Sequence, residues 1–221
     1  MSEYLERQNF STNLNGESFE GARVSRSTFS DSVITDTSFE QVSLDRVIFT
    51  NVTFRNVSFV DAELDSVSFV GCVFDGVKFD GAIVKAGVFT SCLLKDSSFS
   101  SVLANGSIFS DTNLMYCNFN GSSLEYSEWE DCQMADCNFV DTKLTGAIFV
   151  NPDLSRAQFI GSELCSTRFT NAKLSQTDFT SAVMYGVDFN LDEDVMDTIS
   201  RLIAEEDAVF IGARILKSKQ K

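Results

Sequence analysis

Residues 44 to 79 read LDRVIFTNVTFRNVSFVDAELDSVSFVGCVFDGVKF, and every fifth one is large and apolar: Leu44, Phe49, Phe54, Phe59, Leu64, Phe69, Phe74 and Phe79. Followed outward, the register runs without a slip from Leu14 to Phe189, over 36 positions that hold 19 of the 21 phenylalanines. The other centres are Leu, Val, Ile, Met, Trp129 or Ala104. Two residues before each centre stands a small side chain, as at Ala22, Ser32, Val52, Cys72 and Ala82, with Glu17 the one charged exception. Residues two apart on an extended chain point to the same side, so the small and the large residue enter one interior together. Two residues after the centre, Gly, Asp or Asn occupies 22 of the 36 places. These residues tolerate positive φ or bond their own backbone in tight turns. Each unit of five is therefore a short extended piece followed by a corner.

An α-helix does not fit this period, because five residues advance it by about 500° and the apolar stripe would wind around the cylinder. A flat sheet does not fit a turn signal every five residues. The remaining solution is an all-β repeat solenoid whose turns stack through backbone hydrogen bonds at about 4.8 Å.

Units such as AELDS (62 to 66), CVFDG (72 to 76), TNLMY (112 to 116), CNFVD (137 to 141) and AKLSQ (172 to 176) resemble the pentapeptide repeat family, A(D/N)LXX. The resemblance covers roughly residues 12 to 191. It implies a right-handed quadrilateral β-helix with four units per coil, hence about nine coils and a rod of about 43 Å. Residues 20 apart then share a face. Centres ending in 9 form Phe ladders and those ending in 4 form mostly aliphatic ones.

Three segments are expected: an N-terminal cap over 1–11, where Phe10 falls one place late; the repeat solenoid over 12–191; and a cap or dimerisation segment over 192–221. Within the last, Asn190 with Glu193 resembles a capping box, and Val195, Ile199, Leu202 and Ile203 follow at helical spacing. The pattern predicts a short helical cap over about 191–206. The apolar stretch 208–216 then reads as a short strand or second helix that either caps the monomer or joins two chains.

The chain has 221 residues, 17 bases, 32 acids and no histidine, for a net charge of −15. Such a charge opposes direct binding to nucleic acid or an anionic membrane. Absence of histidine removes the usual general base, the commonest metal ligand and imidazole-based triads. No catalytic, cofactor or metal residues are expected, and the chain reads as non-enzymatic. Cys72, Cys92, Cys117, Cys132 and Cys137 take the small inward position and read as reduced filler, while Cys165 lies just after a centre. The start, MSEYLERQNF, has no secretory pattern and no apolar run reaches the ~20 residues of a membrane span, so a cytoplasmic location is expected.

Function then lies on the exterior. Glu20, Glu40, Asp61, Asp80 and Asp141 are the candidate acidic face. Residues 81 to 110 hold only Lys85, Lys95 and Asp96, an almost uncharged waist. There Ile83, Val88, Leu93, Leu103 and Ile108 stand just before centres and point outward, a candidate contact patch; the bland account is that β-branched residues simply suit strands. One group within the resembled family matches duplex DNA in width and charge, binds type II topoisomerases such as gyrase and topoisomerase IV, confers fluoroquinolone resistance, and pairs two rods through a C-terminal helix. The resemblance therefore implies a DNA-mimicking partner of such an enzyme, in homodimeric form. The alternative is a scaffolding solenoid that binds some other protein.

Overall fold

The structure, a computed structural model, describes residues 4–191, 209–211 and 214–217. Among these, all regular structure is strand or isolated bridge, and all strand pairing is parallel. The register is 20 residues per turn: Phe49 pairs Phe69, Leu44 pairs Leu64 and Phe74 pairs Phe54. Four units per turn make four faces, named here by their centres. The Val24 face and the opposite Ile34 face are paired strands up to Lys85 and Lys95 and single bridges from Leu103 and Asn113 onward, until the Val24 face pairs again as strands at Val183–Tyr185. The Phe29 face is one eleven-stranded sheet, and the Phe39 face is linked by bridges throughout. This is a parallel β-solenoid of about nine turns.

The corners explain why the sequence closes every five residues. Each residue two places after a centre, from Gly16 to Gly186, has positive φ, including Arg26, Arg46, Ala86, Tyr116 and Tyr126. A non-glycine residue there costs roughly 1–2 kcal/mol. The fold carries that cost at many corners because each corner sets another buried centre.

Inside, the Phe29 and Phe39 ladders run the length of the rod. Phe49 and Phe69 stack at 4.9 Å, Phe59 and Phe79 likewise at 4.9 Å, and Phe59 meets Phe69 edge-on at 6.3 Å. Stacks along the axis and edge contacts across it suit the ring quadrupoles, at ~0.5–1.5 kcal/mol per pair beyond burial. The small inward residues bond backbone carbonyls: Thr112 Oγ1 donates to Ser110 O at 2.8 Å and Ser122 Oγ to Phe99 O at 2.6 Å. Hydroxyls and thiols thus serve here beside alanine and valine. Ser32 and Ser107 Oγ are the hydroxyl exceptions among the described residues.

Both ends carry further strands of the ladder. The segment read as an out-of-register cap already belongs to the ladder: Tyr4–Glu6 pairs with Arg23–Ser25 and Asn9–Phe10 with Thr28–Phe29. Its offset is 19 residues, against 20 from Leu14 onward, because one residue is missing between Phe10 and Leu14. Phe10 nevertheless stacks on Phe29 at 4.3 Å. Glu17, the charged exception, is exposed on this first turn. At the other end, Val209–Ile211 pairs with Val183–Tyr185 and Arg214–Lys217 with Asp188–Leu191, both at an offset of 26. Residues 209–211 and 214–217 therefore extend this chain's own ladder as strands, and Leu191 belongs to a strand. The candidate helix residues Val195, Ile199, Leu202 and Ile203 lie outside the described residues.

Candidate protein-binding surface

The exterior is built from three positions per unit: the residue before the centre, the residue after it, and the corner. Glu20, Glu40 and Asp80 each follow a centre of the Phe39 face, whereas Asp61 and Asp141 sit at the adjoining corner. The five acids thus occupy two columns, the first interrupted by Val60, Ser100, Asn120 and Val140 and the second by Gly81, Ser101 and Gly121. Several are engaged within the rod. Glu40 Oε1 accepts from Ser58 Oγ at 2.7 Å, and Asp80 accepts from the Ser98 hydroxyl and from Ser100 N at 2.9 Å. Asp61 and Asp141 lie over the bare corners Gly81 and Gly161, where a Cβ would meet their Oδ1 atoms at 2.5 and 2.6 Å. One continuous acidic ladder does not form here.

The apolar candidates separate in the same way. Ile83 and Leu103 are bridged neighbours on the Val24 face, and Val88 and Ile108 are paired on the Phe29 face. Leu93 pairs with Val73 on the Ile34 face, opposite Leu103. Leu103 is 52% and Leu93 44% exposed. The result is an apolar band around three sides of the waist, not a single patch, because successive units turn successive corners.

Two features lie outside the acidic face and the apolar patch expected from the sequence, although Glu128, Glu130 and Asp131 stand out there as an acid cluster that reads as solvated surface. Between Lys95 and Lys143 no base occurs, while Asp96, Asp111, Glu125, Glu128, Glu130, Asp131, Asp136 and Asp141 do. Apart from Asp96, this acidic belt begins at Asp111, where the waist ends. Glu128 and Glu130 project from one strand of the Phe29 face on either side of buried Trp129. The second feature is a pair of tyrosines at left-handed corners: Tyr116 is 64% and Tyr126 66% exposed. A run of 47 residues without a base, and a bulky residue where the corner favours Gly or Asn, were the available signals.

Local charge follows the ion pairs. Arg156 donates twice to Asp136, at 2.8 and 2.7 Å, and holds that carboxyl below its usual range; Arg46 does the same for Asp45. Burial pushes the Cys117 and Cys132 thiols up to about 12 and raises Cys137 as well. The contact with Cys92, together with burial, raises Cys72. All six cysteines are free. Among the described residues, no three His, Cys, Asp or Glu side chains group to hold a metal, and no helix is long and apolar enough to cross a membrane.

A square tube of stacked five-residue units with all its charge outside defines a repeat solenoid whose exterior is its working surface. The pentapeptide repeat region signature matches residues 9–79, 47–129 and 82–159, and a signature of eight pentapeptide repeats matches 153–190. The chain belongs to the pentapeptide repeat family. No curated protein matches it in sequence. Among solved structures it is similar to full-length QnrB1, a plasmid-mediated fluoroquinolone resistance protein, with a TM-score of 0.54 and 16% identity over 90% of this chain and 99% of that one. A trypsin-treated QnrB1 gives 0.52 and 17%, over 92% and 100%. HetL, a pentapeptide repeat protein involved in heterocyst differentiation regulation from the cyanobacterium Nostoc sp. strain PCC 7120, gives 0.44 and 17%, over 83% and 92%. At these identities the likeness is one of fold.

Proposed function

We propose that this chain is a non-enzymatic, negatively charged rod that binds a protein partner through its exterior, and that the partner is a type II topoisomerase engaged by DNA mimicry. The observation that carries this reading is the acidic belt, in which eight acids and no base occupy residues 96 to 142 on a rod of regular stacked turns. A surface of one sign steers association with a basic cleft and repels nucleic acid itself. A gyrase or topoisomerase IV surface that binds DNA offers such a cleft. The fluoroquinolone resistance named for QnrB1 is the activity this reading transfers. A cytoplasmic location and a homodimer belong to the same proposal.

One observation favours the second reading, a scaffold for a different protein. Duplex DNA of about 43 Å holds on the order of 25 charges, whereas residues 11 to 190 carry 23 acids and 11 bases. The rod has about half the charge of the duplex it would imitate. Supercoiling by purified gyrase in the presence of a fluoroquinolone decides between them. Restored supercoiling on addition of the protein supports the mimic; no change at a tenfold molar excess leaves the scaffold.

A further inference from the structure

On the eleven-stranded Phe29 face, outward side chains from Thr28 to Ser110 are only Thr, Ser, Ile and Val. Charge enters the strands abruptly at Glu128 and Glu130, and the next strand presents Ile148 and Val150. In the register, Glu128 lies between Ile108 and Ile148, each one strand spacing away. At the corner leading into this strand stands Tyr126, flanked along the rod by the bare corners Gly106 and Gly146. Its ring lies across Gly146, two residues before Ile148. Among the described residues no ion pair reaches Glu128 or Glu130.

We propose that Tyr126, Glu128 and Glu130, with Ile108 and Ile148 on either side, form a docking site for an arginine-bearing segment of a protein partner. The inference deepens the reading that the exterior binds a protein and rests on it. Charge selects the occupant. Two exposed, unpaired carboxylates beside an exposed phenol call for a cation, and isoleucines above and below Glu128 suit an aliphatic stem. Arginine meets all three demands: its plane stacks on an aromatic face, its fork binds carboxylate in two places, and it is less strongly hydrated than lysine. Nucleic acid and anionic lipid are repelled, and a second copy meeting this face symmetrically would set Glu128 against like charge. The choice of side chain at 126 points the same way. A left-handed corner costs a tyrosine more than it costs glycine, yet here the costly residue stands in solvent between two glycines.

The test uses the full chain and three labelled twelve-residue peptides, in which arginine, lysine or glutamine alternates with threonine. Binding is read by anisotropy and by emission of Trp129, the single tryptophan, which lies beneath Glu128 and Glu130. The arginine peptide should bind at least tenfold tighter than the glutamine peptide and severalfold tighter than the lysine one. Tyr126→Asn and the pair Glu128→Gln/Glu130→Gln should each lose at least tenfold. Glu20→Gln/Glu40→Gln should stay within twofold, and Tyr126→Asn should melt no lower than wild type. The carboxylate pair is exposed and serves alone if the corner variant does not fold. Unchanged binding by the variants, equal loss from Glu20→Gln/Glu40→Gln, or a dimer dissolved by Tyr126→Asn in sedimentation would overturn the proposal. The peptide assay fails independently of the gyrase assay, so the two readings fall separately.

Discussion

The ring of Tyr126 lies against the backbone of Gly146 one turn along the rod, so that a Cβ at Gly146 would come within 2.7 Å of two ring carbons. Gly146 also has a φ of +69°. Gly146→Ala therefore meets two penalties, the left-handed backbone and the ring, and should destabilise by about 2 kcal/mol. In a Tyr126→Gly background only the backbone part remains, about 1 kcal/mol. A double-mutant cycle by urea denaturation measures the difference, and strict additivity would mean that the ring does not rest there.

The aromatic ladder makes the core's stability depend on position. Phe69 is fully buried, stacks on Phe49 at 4.9 Å and Phe89 at 4.8 Å, and touches Phe59 and Phe79 edge-on. Phe69→Ala should cost about 3–5 kcal/mol. Phe10, half-buried on the first turn with Phe29 as its stacking partner, should cost well under half as much. Equal shifts of the denaturation midpoint for the two variants would contradict the ladder.

The ladder and its corners were legible in the sequence because one rule repeats at each unit: Phe19 to Phe189 at the centres, small residues such as Ala62 and Cys72 inside, Gly or Asx at the turn. What repeats less strictly was only partly legible. The single residue missing between Phe10 and Leu14 shifts the first turn by one place, so strands at 4–10 resembled a separate cap. Ile83, Val88 and Leu93 share a position within the unit but stand on three successive faces, which only the 20-residue register separates. Glu128, Glu130 and Asp131 are legible as an acid cluster but read in the sequence as solvated surface, and Tyr126 stands at one corner position among many, so the sequence alone does not set it beside them.

Acid should loosen the corner between Asp136 and Arg156. The paired Asp136 carboxyl lies below its ordinary value of 3.8, so its contribution is fully present above that value and is lost as pH falls through the lower, folded one. Asp136→Asn should lower the melting temperature at pH 7 and leave a shrinking difference from wild type below about pH 4. A gap that persists undiminished at about pH 2 would show that the pair contributes no pH-dependent stability.

The thiols provide a direct check on burial. Cys72, Cys92, Cys117, Cys132 and Cys137 are buried, and Cys165 is half-exposed. Burial holds Cys117 and Cys132 protonated up to about 12, which suppresses the thiolate that reacts with disulfide reagents. At about pH 8, Ellman's reagent should titrate one thiol in the native protein, Cys165, and all six once it is denatured. Rapid reaction of a second thiol would place one of the inward columns in solvent.

Two adjacent residues at the waist should respond to substitution in opposite directions. Ala86 is a corner with a φ of 49°, a conformation that costs alanine roughly 1 kcal/mol and glycine almost nothing. Gly87, its neighbour, has no positive φ and stands at an inward position, where a Cβ would come within 2.3 Å of the buried Val84 Cγ1. Glycine is needed at 87 for space and would be favoured at 86 only for backbone freedom. Ala86→Gly should therefore stabilise by about 1 kcal/mol, whereas Gly87→Ala should destabilise by about 1–3 kcal/mol through overpacking. The double variant Ala86→Gly/Gly87→Ala keeps the composition of the chain and tests the assignment in one protein, which should melt below wild type. If that variant melted higher, Val84 would have to move aside at little cost, and the interior beside the waist would be looser than the packing around Val84 and Phe89 indicates.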